Sequence, residues 1–121
     1  MKTSLRVISI LILILISHIL VAQDETPKAA TTYYLIRHAE KDRSDNTNED
    51  PNLMDKGKLR AKLWATYFKD KPLDAVYSTN YNRTKETATP TAKVHNLEIQ
   101  QYTPDNMYSE AFQLATHGKT V

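Results

Sequence analysis

The chain has 121 residues, with 16 Lys and Arg against 14 Asp and Glu, no cysteine and only two glycines. Lys2 and Arg6 lie in the first 22 residues, which hold no acid, so residues 23–121 carry 14 cations and 14 anions and are formally neutral. This balance excludes a disulfide scaffold and a lipid-modified amino terminus, argues against a fibrous or disordered chain, and removes the electrostatic case for nucleic-acid binding.

Met1 to Arg6 is a short basic start, Val7 to Val21 is apolar apart from Ser9, Ser17 and His18, and Ala22 precedes the polar Gln23-Asp24-Glu25. That layout is a secretory signal peptide with Leu20 and Ala22 at the −3 and −1 positions of a cleavage site. A retained membrane anchor is the competing reading, but the run falls short of the ~20 apolar residues of a spanning helix. Residues 1–22 are therefore read as a signal peptide, 23–31 as a flexible lead containing Pro27, and 32–121 as one domain. The expected location is periplasmic or extracellular, with no membrane contact once the signal is removed.

Tyr33 to Ile36 are four residues of high strand propensity that run straight into Arg37-His38, after which the chain turns polar. The pattern predicts a buried strand delivering a cation and an imidazole at its carboxyl end, where ligands of open α/β sheets collect. Lys41 to Asn52 has no apolar side chain and reads as a mobile loop. Its carboxylates lack the central glycine and closing glutamate of an EF-hand, so a solvated loop is favoured over a calcium site.

From Leu53 to Lys69 the apolar residues return at helical spacing, with Leu59, Leu63 and Tyr67 on one stripe and Ala61, Trp64, Ala65 and Phe68 on the next. They predict an amphipathic helix with a wide buried face, ended by Lys71-Pro72. Leu73 to Ser78 is a second strand, and Thr79 or Asn80 can cap a helix from Tyr81 to Val94 that Pro90 is expected to kink or divide. Asn82-Arg83-Thr84 also matches a glycosylation sequon, to which no weight is given at a helix start. Leu97 to Tyr102 alternates as a third strand, Thr103 to Asn106 is a turn, and Ser109 to His117 is a short helix capped by Ser109 and stopped by Gly118. Lys119 to Val121 resembles the opening of a further strand, so the chain is expected to be incomplete at its carboxyl end. Alternation of strand and helix is the pattern of an α/β domain with a largely parallel sheet.

If the first two strands are neighbours, their carboxyl ends lie side by side and Arg37, His38 and Arg83 can meet in one pocket. Arg83 would stand in the first turn of a helix whose free N–H groups favour an anion. Two guanidiniums, a helix start and an imidazole suit a phosphoryl group better than a carboxylate, since three equatorial oxygens each find a donor. A neutral His38 could then accept the phosphoryl group as a phosphohistidine.

Tyr34-Leu35-Ile36-Arg37-His38-Ala39-Glu40-Lys41 resembles the Arg-His-Gly signature of the histidine phosphatase superfamily, in the Arg-His-Ala-Glu form of small bacterial phosphohistidine phosphatases. Asp50-Pro51-Asn52-Leu53 through Gly57 and Arg60-Ala61 is similar to the family's Asp-Pro-x-Leu-Thr-x-x-Gly helix start. Tyr77-Ser78 with Arg83-Thr84-x-Glu86-Thr87-Ala88 is similar to its second arginine motif. The resemblance implies a phosphoglycerate mutase-like fold, a three-layer α/β/α arrangement around a mostly parallel sheet. It implies His38 as phosphorylated nucleophile, Arg37 and Arg83 as phosphate ligands, and no metal or organic cofactor, because the arginines supply the positive charge.

There are departures from the family's pattern. Met54 stands where the family often has threonine, which affects only the helix start; Thr103 stands where relatives have aspartate, which leaves Asp105 and Glu110 as the nearest candidates for the proton donor. The family's second histidine, in a Gly-His-Ser/Thr segment, is expected just beyond the strand that Lys119 to Val121 begins. His18 lies in the signal, and His95 and His117 are read as surface residues. The expected activity is hydrolysis of small phosphomonoesters by an exported phosphatase; the alternative is a catalytically impaired domain that binds phosphate or a phospholigand. No nucleic-acid or protein partner is implied, and the oligomeric state is open.

Overall fold

The computed structural model describes residues 29–121. The signal peptide and residues 23–28 of the lead lie outside the described residues. The elements are helix α1 (Asp55–Phe68), strand β1 (Val76–Ser78), helix α2 (Asn82–Val94), strand β2 (Ile99–Gln101), a 3-10 turn (Pro104–Asn106) and helix α3 (Glu110–Thr116). β1 and β2 are parallel, with Val76, Tyr77 and Ser78 opposite Ile99, Gln100 and Gln101. The bond from Tyr102 N to Ser78 O, at 3.2 Å, carries the pairing one step further.

The predicted first strand is shorter and more exposed than its composition suggests. Thr32 to Tyr34 pairs in parallel with Lys119 to Val121 through Thr32 N to Lys119 O (2.9 Å), Val121 N to Thr32 O (2.8 Å) and Tyr34 N to Val121 O (2.7 Å). Among the described residues no backbone bond pairs Leu35 or Ile36, and these side chains are 69% and 39% exposed. An apolar run is buried only where another element covers it, and here the pairing covers its first half alone.

The strand order also differs from the expectation. Thr120 accepts a bond from Asp74 N and donates its own N–H to the Asp74 carboxylate, both at 2.8 Å. Lys119 to Val121 therefore lies between Thr32–Tyr34 and the segment leading into β1, so the first two strands of the chain are not neighbours. Non-local pairing of this kind leaves no trace in local periodicity.

The two long helices pack on each other more extensively than any other pair of elements. α1 begins at Asp55, two residues later than expected, and buries Gly57, Ala61, Ala65 and Phe68. The other expected stripe, Leu59, Leu63 and Tyr67, is 59%, 61% and 56% exposed. Small residues on the buried side let the helix backbones approach closely, and that contact, rather than the bulk of the larger side chains, orients α1. α2 runs unbroken from Asn82 to Val94 with Pro90 inside it, so the expected division does not occur. It ends on Asn96, which adopts the left-handed φ of 53° that closes a helix, with Leu97 N bonded back to Ala92 O at 2.9 Å. His95, expected at the surface, is half-buried, and its Nε2 lies 3.0 Å from Phe68 O, where it satisfies a carbonyl at the end of α1. α3 follows the sequence closely: Ser109 Oγ accepts from Phe112 N at 3.2 Å, and Gly118 takes φ 70° just past the helix end.

The buried cluster joining these parts is small: Ala39, Leu53 and Ala61. Gly57 faces the backbone of Glu40, whose carbonyl also accepts from Met54 N at 3.0 Å. A Cβ on Gly57 would lie 3.0 Å from Glu40 N and C and closer still to its carbonyl oxygen, where backbone and not a flexible side chain would have to move. Gly57→Ala is therefore expected to destabilise the domain by about 1–3 kcal/mol despite its better helix propensity. Urea unfolding would show a lower midpoint at unchanged slope, and an unchanged or raised midpoint would mean that this approach is not tight in solution.

Candidate active site

A cavity of about 400 Å³ opens between the Tyr33–His38 segment and β1. Its polar lining includes Arg37, His38, Ser78 and Thr79 and, along α2, Thr84, Thr87 and Thr91. Arg37 is exposed and His38 half-buried, so the dipeptide stands at the mouth of the cavity with a solvent-facing side.

His38 Nδ1 lies 2.7 Å from Ala39 O. A carbonyl can only accept, so Nδ1 carries the proton of this bond, and in a neutral ring Nε2 then holds the free lone pair. Ala39 N in turn donates to Thr87 Oγ1 at 2.9 Å, and the same hydroxyl donates to Arg83 O at 2.7 Å. The backbone after the histidine is thus tied to the second turn of α2.

α2 makes two further connections to the loop before α1. Glu86 Oε2 accepts from Leu53 N at 2.8 Å. Asp50 Oδ1 accepts from Asn82 N at 2.8 Å, while Asn82 Nδ2 donates to Asp50 O at 3.1 Å. The N-cap residue Tyr81 provides no side-chain cap, so Asp50 caps the helix from a distant loop. The N–H expected to be free for an anion at this helix start is already occupied.

Arg83 is the one proposed phosphate ligand that the cavity lining does not include. Its guanidinium carbon sits 4.3 Å from the centre of the Tyr81 ring, and its Nη1 lies 3.5 Å from Asp50 Oδ1. The Nη1 atom is buried and the 3.5 Å approach is not aligned as a hydrogen bond, so charge attraction rather than a directed N–H···O contact holds it. Asp105 and Glu110, the candidate acids, are exposed residues of the 3-10 turn and of the first turn of α3, and neither lines the cavity. Met107 and Tyr108, between them, do.

Asp50, Glu86 and Thr87 fall within the motifs that carry the resemblance, which assigns them no role. The available signal is positional: Arg83, Glu86 and Thr87 fall at i, i+3 and i+4, one helical face. Two other acids of the Lys41–Asn52 loop bond within the loop itself. Asp42 accepts from Ser44 N at 2.8 Å, and Asp45 accepts from Thr47 Oγ1 at 2.6 Å and from Thr47 N at 2.9 Å, and these bonds hold both carboxyls below their ordinary range. Among the described residues no three His, Asp or Glu side chains are grouped to hold a metal ion.

Parallel pairing of β1 with β2 and the alternation of strand and helix define an α/β domain. Residues 33–104 match the model of the histidine phosphatase superfamily, branch 1, and the chain belongs to that family. It is 38% identical over 69 residues to phosphoserine phosphatase 1 of Hydrogenobacter thermophilus, covering 54% of this chain and 33% of that protein. The chain thus spans about a third of the length of this curated relative.

Solved structures share the fold. A protein described as the phosphohistidine phosphatase SixA of Agrobacterium tumefaciens aligns with a TM-score of 0.57 at 21% identity, covering 74% of this chain and 66% of that one. A mycobacterial glucosyl-3-phosphoglycerate phosphatase in complex with VO3 aligns with a TM-score of 0.54 at 16% identity, covering 71% and 51%.

Glu40, beside the dipeptide, accepts from Arg60 Nε at 3.0 and 2.9 Å, and the Arg60 guanidinium holds its carboxyl down to about 2 from 4.5. A carboxyl depressed on folding stabilises above its unfolded value, and the contribution is lost as pH falls from 4.5 towards 2. Arg60→Gln should therefore flatten the fall in stability across that window while leaving the curve above pH 6 nearly parallel to the parent's. Thermal melts at stepped pH test this, and equal steepness in both proteins would show that the pair does not persist in solution.

Proposed function

We propose that this protein is an exported phosphatase that hydrolyses small phosphomonoesters through a phosphohistidine on His38. The observation that carries the reading is the Nδ1–H···O bond to Ala39, which leaves Nε2 as the free nucleophilic nitrogen beside Arg37. Membership of the histidine phosphatase superfamily and likeness to a phosphoserine phosphatase support a phosphate monoester as substrate class.

In the first step the Nε2 lone pair forms an N–P bond while the ester P–O bond breaks in line, and the departing alkoxide takes a proton. Arg37 and Arg83 neutralise the charge on the equatorial oxygens, and the Ala39 carbonyl supports the ring as it becomes cationic. In the second step water attacks phosphorus and returns a proton to the carboxylate that served as donor, the P–N bond breaks, and inorganic phosphate leaves with His38 neutral again. Asp105 and Glu110 are the candidate donors to the alkoxide, and to serve they must approach the cavity when substrate binds.

A second reading has its own support. Both candidate acids lie off the cavity lining, which suits a domain that binds phosphate or a phospholigand without efficient turnover. Export rests on the Met1–Ala22 layout. Among the described residues no helix is long and apolar enough to cross a membrane.

His38→Ala should lower single-turnover hydrolysis of p-nitrophenyl phosphate on the order of 10³-fold or more and remove any acid-labile phosphoenzyme. Equal turnover in parent and variant would overturn the nucleophile. Binding of vanadate by a parent with no turnover and no trapped phosphoenzyme would establish the binding protein instead.

A further inference from the structure

We propose that Asp50 is a positioning residue that sets the guanidinium of Arg83 for phosphate binding. The inference rests on the preceding reading for the role of Arg83, but its structural half stands independently.

One carboxylate oxygen performs two tasks. Asp50 Oδ1 accepts from Asn82 N at 2.8 Å, which fixes the start of α2, and the same atom lies 3.5 Å from Arg83 Nη1. The Arg83 side chain is only 17% exposed, with the Tyr81 ring 4.3 Å away on one face. A long side chain of this kind loses most of its rotamer freedom only when something holds its charged end, and Asp50 is the one acidic group within salt-bridge reach of it among the described residues. Asn82 Nδ2 on Asp50 O adds a second attachment, so the carboxylate does not swing with the loop.

The loop end that carries Asp50 is itself anchored close to the histidine. Pro51 and Leu53 are buried, Leu53 N donates to Glu86, Asp42 N bonds Asn52 O at 2.8 Å, and Met54 N bonds Glu40 O at 3.0 Å. Asp50 therefore relates the position of Arg83 to the backbone that follows Arg37-His38. A guanidinium delivered by helix α2 alone would have its backbone placed but its charged end free. Because the ion pair is long and unaligned, and the carboxylate is 41% exposed on its outer side, the pair orients Arg83 while leaving its other N–H groups free to bond phosphate.

Asp50→Asn separates the two tasks, because the amide oxygen still caps Asn82 N while the charge facing Arg83 is lost. The test is a double-mutant cycle on the full chain with Arg83→Ala, reading inorganic phosphate affinity by calorimetry, together with 15N spectra of the Arg83 side chain in the phosphate-free protein. Melting temperatures confirm that each variant is folded. Asp50→Asn is expected to weaken phosphate binding about tenfold when Arg83 is present and to leave it unchanged when Arg83 is absent, a coupling within the usual range for contacting residues. The Arg83 guanidinium signals should be distinct in the parent and averaged by rotation in Asp50→Asn.

An equal loss in both backgrounds would make Asp50 a helix cap and nothing more. Tighter phosphate binding by Asp50→Asn would make it a competitor of the ligand. Either result, or unchanged Arg83 spectra, overturns the proposal. If the parent binds no phosphate, the phosphate-site reading of Arg83 fails separately, and the spectra alone decide whether Asp50 fixes it.

Discussion

The hydroxyl of Thr87 is the contact on which the geometry around the histidine depends. It donates to Arg83 O within α2 and accepts from Ala39 N, so its single proton and a lone pair are both engaged, in a side chain only 3% exposed. The peptide after His38 is thereby pinned, and the carbonyl of that same residue, Ala39, receives the Nδ1 proton. Choice of tautomer, and with it which ring nitrogen is free, follows from where one backbone segment is tied to one helix. A buried N–H left without its acceptor costs about 1–3 kcal/mol, so the arrangement is energetically specified and not merely permitted.

The same helical face carries the rest of the support. Asn82 with Asp50, Glu86 with Leu53 and Thr87 with Ala39 attach three successive points of the preceding chain to the first two turns of α2. All three bonds run between a side chain and a backbone atom, which sets position along the chain without requiring bulky apolar contacts. That suits a domain whose buried cluster here is Ala39, Leu53 and Ala61 and whose buried polar residues include Ser78, Thr87 and Thr91. The helix is placed by close approach of small residues and then registered by hydrogen bonds.

What the sequence made legible was local. The Ser109 cap and the Gly118 stop depend on neighbours a few residues away, and the structure places both as read, whereas the start of α2 falls at Asn82 and is capped by Asp50 and not by Thr79 or Asn80. What escaped was non-local. The insertion of Lys119–Val121 between Thr32–Tyr34 and Asp74 joins parts of the chain more than 40 residues apart, and no periodicity encodes it. The exposure of Leu59, Leu63 and Tyr67 escaped for a related reason: period 3.6 shows that a helix has an apolar face, while tertiary contact selects which part of that face is covered. Pro90 does not divide α2, since a helix packed along its length tolerates one missing backbone bond.

The electrostatic design around the Arg-His pair follows from how the carboxylates are used. Glu40 is engaged by Arg60, Asp42 and Asp45 by the amides of their own turns, and Asp50 by the start of α2 and by Arg83. These four acids are each committed to a partner. At the helix start Asp50 already takes the first N–H, so less of the backbone is left to an incoming anion and guanidinium side chains carry more of its charge. Such side chains deliver directional charge only when their ends are held, and this is why the loop carrying Asp50 belongs to the same functional unit as the helix carrying Arg83.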